Sequence, residues 1–427
     1  MLADVSRPAA PIGELDPEQA RAKPTGVGEL DRVLGGGLVP GSVVLLAGEP
    51  GVGKSTLLLA AAHQWACAGG SVLIVTGEES AGQVRLRAER TGAIAPRLFL
   101  AAETELGALL AHVEQVDPGL LIVDSVQTIH TTSVDTSVGG VPQIRAVAAA
   151  LIGAAKQRGM ATVIVGHVTK DGSIAGPRAL EHVVDVVLVF EGDRHSSLRL
   201  VRATKNRFGP AEEVGCFEMR EDGIVGLPDP SRLFLSERAV DVPGTCVAVT
   251  MEGRRPLVTE VQALVTRATG PPRRAVTGLD GSRVAMLIAV LTRHSGAPLG
   301  DQDVYAATVG GIQASEPAAD LAVALAVASA AREVRLPRTL CAIGEVSLSG
   351  EIRRVPNLER RLAEAARLGF RTALVPPAHP GEPAANRPPA GLTVVPVGTL
   401  PAAMSAVTSL AHGLPAARPA LRVAAAT

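Results

Sequence analysis

The segment Gly48-Glu-Pro-Gly-Val-Gly-Lys-Ser-Thr56 constrains this 427-residue chain more than any other stretch of it. The apolar run SVVLLAG (42–48) leads into the segment, and a stretch of helical composition, Ser55–Gly69, leads out. Its glycines let the loop curl so that successive backbone N–H groups point inward as an anion nest. A helix opening at Lys54–Thr56 adds the positive end of its dipole to the same hollow. A strand, a glycine-rich turn, Lys-Ser and a helix, in that order, cradle the phosphates of a nucleoside triphosphate. Gly48, Glu49, Pro50, Gly51, Val52, Gly53, Lys54, Ser55 and Thr56 are the expected binding residues. Lys54 is expected to reach the β- and γ-phosphates of ATP, and the Ser55 hydroxyl to coordinate Mg2+.

Three further runs, SVLIVTG (71–77), GLLIVDS (119–125) and ATVIVGH (161–167), are also continuously apolar and end in small or polar residues. Strands buried on both faces read this way, so a parallel sheet with helices on each side is expected. Ser55–Gly69, Ala81–Thr91 and Pro142–Gly159 supply helices, the first and last punctuated by Gly69-Gly70 and Gly159. VVDVVLVF (183–190) and SLRLVRATK (197–205) follow with no room for a helix between them, so the sheet is expected to finish antiparallel. A seam at GLPDPSRLF (226–234) precedes a second domain, α+β or α/β by pattern. That domain reads as a strand hairpin within 246–265, helices near Ser282–His294 and Ala318–Ala331, a strand at 339–350, the helix Leu358–Leu368 and a strand at 371–376. The expected layout is an arm (1–23), an α/β nucleotide-binding domain (24–228), a linker (229–244), a smaller domain (245–411) and a tail (412–427).

Hydrolysis needs a metal-binding carboxylate and a group that orients the attacking water. Asp124 ends the strand GLLIVD, where a Walker B carboxylate belongs. Glu78 and Glu79 end the strand after the first helix, on the carboxyl edge where ligands of parallel sheets sit. One of the two is the expected catalytic carboxylate, with Glu79 favoured. His167 ends the strand after Asp124 and is a candidate γ-phosphate sensor.

Composition restricts the partners. A formal net charge of −1 gives no global attraction to nucleic acid, and 2% aromatic residues leave few platforms for stacking bases. Positive charge for any DNA contact must therefore be local. Cysteines 67, 216, 246 and 341 form no Cys-x-x-Cys pair, which argues against a disulfide framework and for a reducing, cytoplasmic setting. The first residues contain no apolar signal core. Apolar stretches such as Leu321–Ala331 are about half the ~20 residues a membrane span needs, so no membrane partner is expected.

The phosphate loop, the Gly77-Glu-Glu-Ser80 segment and GHVTKDGSIAGPRALEH (166–182) together resemble the bacterial RadA (Sms) DNA repair family. Lys205-Asn206-Arg207-Phe208-Gly209 matches the KNRFG signature that sets that family apart from RecA and from replicative helicases. The resemblance runs from about residue 20 to about 410. It implies a RecA-like P-loop ATPase core with a mainly parallel sheet, followed by a smaller α+β domain similar to the proteolytic domain of Lon. It further implies a DNA-dependent ATPase that promotes branch migration of recombination intermediates. Such a protein would work as a hexameric ring on single-stranded DNA, with RecA recombinase as a partner. Lys205 and Arg207 would act in trans on a neighbour's nucleotide, a role that suits rigidly held cations. Arg145, Lys170 and Arg178 fall where RecA-like proteins carry channel loops, and are the candidate DNA contacts.

Two departures from the family follow. Its amino-terminal four-cysteine zinc finger has no counterpart ahead of Pro24, so zinc is not expected in this chain. In the Lon-like domain, Pro317-Ala-Ala-Asp320 and Leu358-Glu-Arg-Arg-Leu362 put Ala318 and Arg361 where Lon has its catalytic Ser and Lys. A methyl group cannot attack a carbonyl, and a guanidinium does not serve as a base, so peptidase activity is not expected. Arg353, Arg354, Arg360 and Arg361 read as a basic, solvated or DNA-facing cluster. Two rivals to the motor remain: an ATP-driven RecA-like switch of the circadian-clock ATPase type, and an ATP-dependent Lon-type protease.

Overall fold

The computed structural model describes residues 11–14, 16–167, 178–192, 197–231, 235, 241–297, 299–378 and 388–411. The chain divides into two compact units, Met1–Pro228 and Asp229–Thr427. Lys170 of the sequence-derived DNA candidates lies outside the described residues, as does the side chain of Arg178.

In the first unit, α1 (Gly28–Leu34) precedes β1 (Val43–Gly48), α2 (Lys54–Cys67), β2 (Val72–Thr76) and α3 (Ala81–Arg90). Then come β3 (Leu98–Ala102), α4 (Leu106–Val116), β4 (Leu120–Asp124), α5 (Val141–Arg158) and β5 (Ala161–His167). The short α6 (Arg178–Glu181) leads to β6 (Val186–Gly192), β7 (Leu198–Asn206), β8 (Val214–Arg220) and β9 (Gly223–Gly226). The nine strands form one sheet in the order β3-β2-β4-β5-β1-β6-β7-β8-β9. The first six run parallel and the last three antiparallel; the apolar runs imply parallel β1, β2, β4 and β5 and the antiparallel turn into β7, but not β8 or β9. Alternate residues of β1 serve opposite faces: Val44 and Leu46 pack with α1 and α2, Val43 and Leu45 with α4 and α5. Burying each such side chain contributes roughly 1.5–3 kcal/mol, which holds the carboxyl ends of β1, β2, β4 and β5 along one edge.

The local signals are visible where helices begin and end. Ser80 and Gln83 form a reciprocal capping box at the start of α3, and Gly159 ends α5 in the left-handed region. The sequence pattern does not predict β3 and α4. β3 is an edge strand with several exposed or half-exposed residues, so it lacks the continuous apolar run that marks its neighbours.

The second unit is built on the strands β10 (Thr245–Glu252), β11 (Arg255–Arg267), β12 (Arg274–Thr277) and β13 (Gln302–Thr308), with α7 (Gly281–Val290) between the last two. After α8 (Asp320–Arg332) come β14 (Leu340–Ala342), the small hairpin β15 (Glu345–Val346) and β16 (Ile352–Arg353), and α9 (Leu358–Arg367). β17 (Thr372–Val375), β18 (Thr393–Pro396) and α10 (Leu400–Ala411) complete it. The main sheet has the order β12-β13-β11-β10-β14-β17-β18, and α8 is buried from Asp320 through Ser329. The single strand expected at 339–350 is broken in two. Gly344 makes the departure: its N–H donates to Ala318 and its carbonyl accepts from Leu321, which draws the chain off the sheet.

One member of the expected basic cluster is not on the surface. Arg353, Arg354 and Arg360 are exposed, but the Arg361 side chain is 0% exposed. Its guanidinium grips the Glu316 carboxylate through both terminal nitrogens and also donates to the carbonyls of Val249 and Pro356. Glu316 in turn accepts from the Met251 N–H. A guanidinium fork is the one cationic side chain that can satisfy so many acceptors at once. Among the described residues no helix is long and apolar enough to cross a membrane.

Candidate active site

The loop between β1 and α2 carries its glycines out of necessity. A Cβ on Gly48 would lie 2.5 Å from the Phe190 carbonyl oxygen on β6. Gly53 adopts φ 114°, which side-chain-bearing residues rarely take, and its open side is closed by Met219 of β8. From β7, Arg199 donates through Nε to the Val52 carbonyl at 3.1 Å, which steadies the turn from outside. Inside, the Lys54 side chain is buried, and Nζ donates to the carbonyls of Gly48 and Glu49, both at 2.8 Å. Burial pulls the Lys54 ammonium below the ordinary lysine value, while Asp124, Glu78 and Glu49 pull it back up.

Ser55, in the first turn of α2, donates its hydroxyl to Asp124 Oδ2 at 2.6 Å across the sheet edge. Burial raises the Asp124 carboxyl above its usual range, with the Ser55 hydrogen bond opposing the shift. Two hard oxygen donors held side by side next to a phosphate loop suit Mg2+, which prefers one or two protein oxygens plus phosphate and water.

The two neighbouring glutamates face different partners. Glu78 Oε1 accepts from the Ser125 hydroxyl and lies 2.6 Å from His167 Nε2. The His167 hydrogen bond, followed by that of Ser125, holds the Glu78 carboxyl below its usual range, against burial. An ionised carboxylate only accepts, so Nε2 carries the proton in this pair. Nδ1 of the same ring is buried and meets no partner among the described residues. Glu79 instead takes the guanidinium of Arg87 on α3, and its backbone is tied to the Thr76 hydroxyl. Glu79 and Arg87 line a small recess together with Ser55, Thr76 and Asp124. The two carboxylates thus differ in their partners: Glu79 is engaged by the Arg87 cation, whereas Glu78 is held by hydrogen-bond donors at the ends of β4 and β5.

The KNRFG segment lies elsewhere. Its Asn206 is level with Val186 and Val44, at the beginning of β6 and β1, whereas the phosphate loop leaves the other end of β1. The five steps of strand from Val43 to Gly48 separate the two edges by roughly 17 Å at about 3.3 Å per step. There Lys205 Nζ donates to the carbonyls of Glu181, His182 and Val184, capping the end of α6. Asn206 caps the end of α1 through Leu34, and Arg207 pairs with Asp185 at 2.9 Å. Asp185 also accepts from the Val43 N–H at the head of β1. Phe208 is exposed, and the Gly209 backbone lies against Gly35. Arg145, the described DNA candidate, is exposed near the start of α5.

Ser125, Asp185, Arg87 and Arg199 are not singled out by the sequence pattern. Ser125 could have been, since it directly follows Asp124. The other three come from elements far apart in the chain: the assembled sheet brings Arg87 and Arg199 to the phosphate-loop edge and Asp185 to the opposite edge beside Arg207.

A parallel sheet with a phosphate loop, a Walker B carboxylate and paired glutamates at its carboxyl edge defines a RecA-like P-loop ATPase. Residues 14–173 match the family model described as an AAA domain, and residues 310–379 that described as subunit ChlI of Mg-chelatase. The DNA repair protein RadA of Mycolicibacterium smegmatis is 55% identical over 95% of this chain and 86% of its own length. RadA of Mycobacterium tuberculosis is 54% identical over 94% and 83%, and that of Bacillus subtilis 45% over 88% and 82%. The chain belongs to the RadA family of DNA repair proteins, and it is an ATP hydrolase.

Proposed function

We propose that this chain is an ATP-driven motor of recombinational repair that promotes branch migration, acting as a hexameric ring on single-stranded DNA in the cytoplasm, with RecA recombinase as a partner. The observation that carries the shared-site part of this reading is the placement of Lys205 and Arg207 on the sheet edge opposite the phosphate loop. Cations there cannot serve the nucleotide of their own chain, but they can serve that of a neighbour.

In the hydrolytic site, Gly48–Thr56 bind the phosphates, and Lys54 exchanges its carbonyl partners for the β- and γ-phosphate oxygens. Ser55 and Asp124 hold Mg2+, which when bound neutralises charge on those oxygens. Glu78 orients and deprotonates the attacking water, and His167 holds Glu78 and responds to the γ-phosphate. Lys205 and Arg207 of the adjacent copy stabilise charge on the transferring phosphoryl group. Residues 229–244 serve as a linker, and 245–411 as a Lon-like scaffold without peptidase chemistry. Ala318 is buried and Arg361 is locked to Glu316, which supports that assignment. Arg145, Lys170 and Arg178 contact DNA phosphates.

The test is ATP hydrolysis with and without single-stranded DNA, with Lys54→Ala as the blank. Stimulation by DNA is expected, and a rate indifferent to DNA would favour an ATP-driven switch. Arg145→Ala is expected to weaken DNA binding for all sequences alike. It should also flatten the dependence of log affinity on log salt by about 0.7 for each phosphate the protein no longer neutralises, as read by fluorescence anisotropy. An unchanged slope would remove Arg145 from the DNA path.

A further inference from the structure

We propose that Ser125 is a positioning residue for ATP hydrolysis, its hydroxyl fixing the orientation of the Glu78 carboxylate. The inference rests on the reading of Glu78 as the water-orienting group.

Ser125 is fully buried, one residue beyond Asp124. Its carbonyl accepts from both the backbone N–H and the hydroxyl of Thr128, so its backbone is pinned in a tight turn. The hydroxyl of a residue held in this way has little freedom of direction, and here it donates to Glu78 Oε1. His167 meets the same oxygen from β5. Among the described residues no donor meets Oε2. Two donors converging on one oxygen set the last torsion of a side chain that otherwise rotates broadly. They also leave the second oxygen to accept a water proton. A hydrogen bond to a charged acceptor is among the stronger kinds, and the buried hydroxyl provides it without reorganisation when the nucleotide reacts. Ser125 therefore joins the metal-side carboxylate and the water-side carboxylate through a single peptide unit, so that the two keep a common frame. Misplacing a catalytic group by a fraction of an ångström is costly, and loss of this hydroxyl should lower kcat by about 10-fold.

The experiment measures kcat, KM for Mg-ATP and melting temperature for Ser125→Ala and Ser125→Thr. Ser125→Ala is also made in a Glu78→Gln background. The expected result is a kcat loss in Ser125→Ala with KM and melting temperature unchanged, most of kcat retained in Ser125→Thr, and no further loss when Ser125→Ala is added to Glu78→Gln. The idea is overturned if Ser125→Ala keeps kcat within two-fold, if the loss persists undiminished in the Glu78→Gln background, or if Ser125→Thr loses as much as Ser125→Ala. Glu78→Gln with full activity would sink the reading of Glu78 and this proposal together. An inactive Glu78→Gln beside a fully active Ser125→Ala would sink this proposal alone.

Discussion

Arg207→Ala is expected to bind ATP as tightly as the parent and to hydrolyse it about 10³-fold or more slowly, the scale on which an arginine finger acts. Distance is the reason. Arg207 sits at the amino edge of the sheet beside Asp185, and the phosphate loop leaves the carboxyl edge, so the substitution does not touch the site that binds nucleotide in the same chain. The fold should suffer only moderately: Arg207 is about half exposed, and Asp185, though buried, keeps the Val43 N–H as a donor. A mixing experiment makes the test sharper. Lys54→Ala lacks a working phosphate loop but carries an intact finger, while Arg207→Ala has the converse defect. Mixed in equal amounts before assembly, they should restore about a quarter of the interfaces, since half the loops and half the neighbouring fingers are sound. A mixture as inactive as either variant alone would end the shared-site reading.

The second large effect is on stability. Arg361→Ala should destabilise the second unit by about 3 kcal/mol, the lower end for removing one partner of a buried ion pair. The lower end applies because Glu316 keeps 28% exposure and can recover some hydration, whereas the carbonyl of Val249 loses a buried donor. Replacing both charges with apolar groups should cost less than removing the arginine alone, since no unpaired carboxylate is left behind. Urea denaturation of the full chain, followed by hydrogen exchange resolved by segment, would show a lower midpoint confined to 245–411. An unchanged midpoint would mean that the guanidinium is not the clamp its hydrogen bonds describe.

Much of the first unit was legible because its strands are buried on both faces and its loop chemistry is specific. β1, β2, β4 and β5 each announce themselves as unbroken apolar runs, and the glycine-rich loop could sit in only one place. β3, half exposed at the sheet edge, carries no such run. In the second unit the short strands β12 and β18, and β13 with its polar, half-exposed residues, carry no such run, and the run at 339–350 hid the turn at Gly344. How Glu78 and Glu79 differ could not be read from adjacent letters in a sequence. It depends on which carboxylate meets Arg87 of α3 and which meets Ser125 and His167, and those partners are assembled by the sheet. Arg361 misled for the opposite reason: four arginines close together look like a charged surface until one is seen to be enclosed.

β1 also gives each subunit a front and a back. The phosphate loop leaves one end of this strand at Gly48, and at its other end Val43 donates to Asp185, which holds Arg207, the finger of the proposed shared site. On the proposed shared-site reading, copies that follow one another head to tail let each finger serve the next loop, and such a succession has a sense along its axis, whether it closes on itself or winds on. A nucleic acid strand has a sense as well. If the proposed motor is right, the two polarities can be matched, and the direction of travel would trace back to the orientation of a single strand inside each subunit.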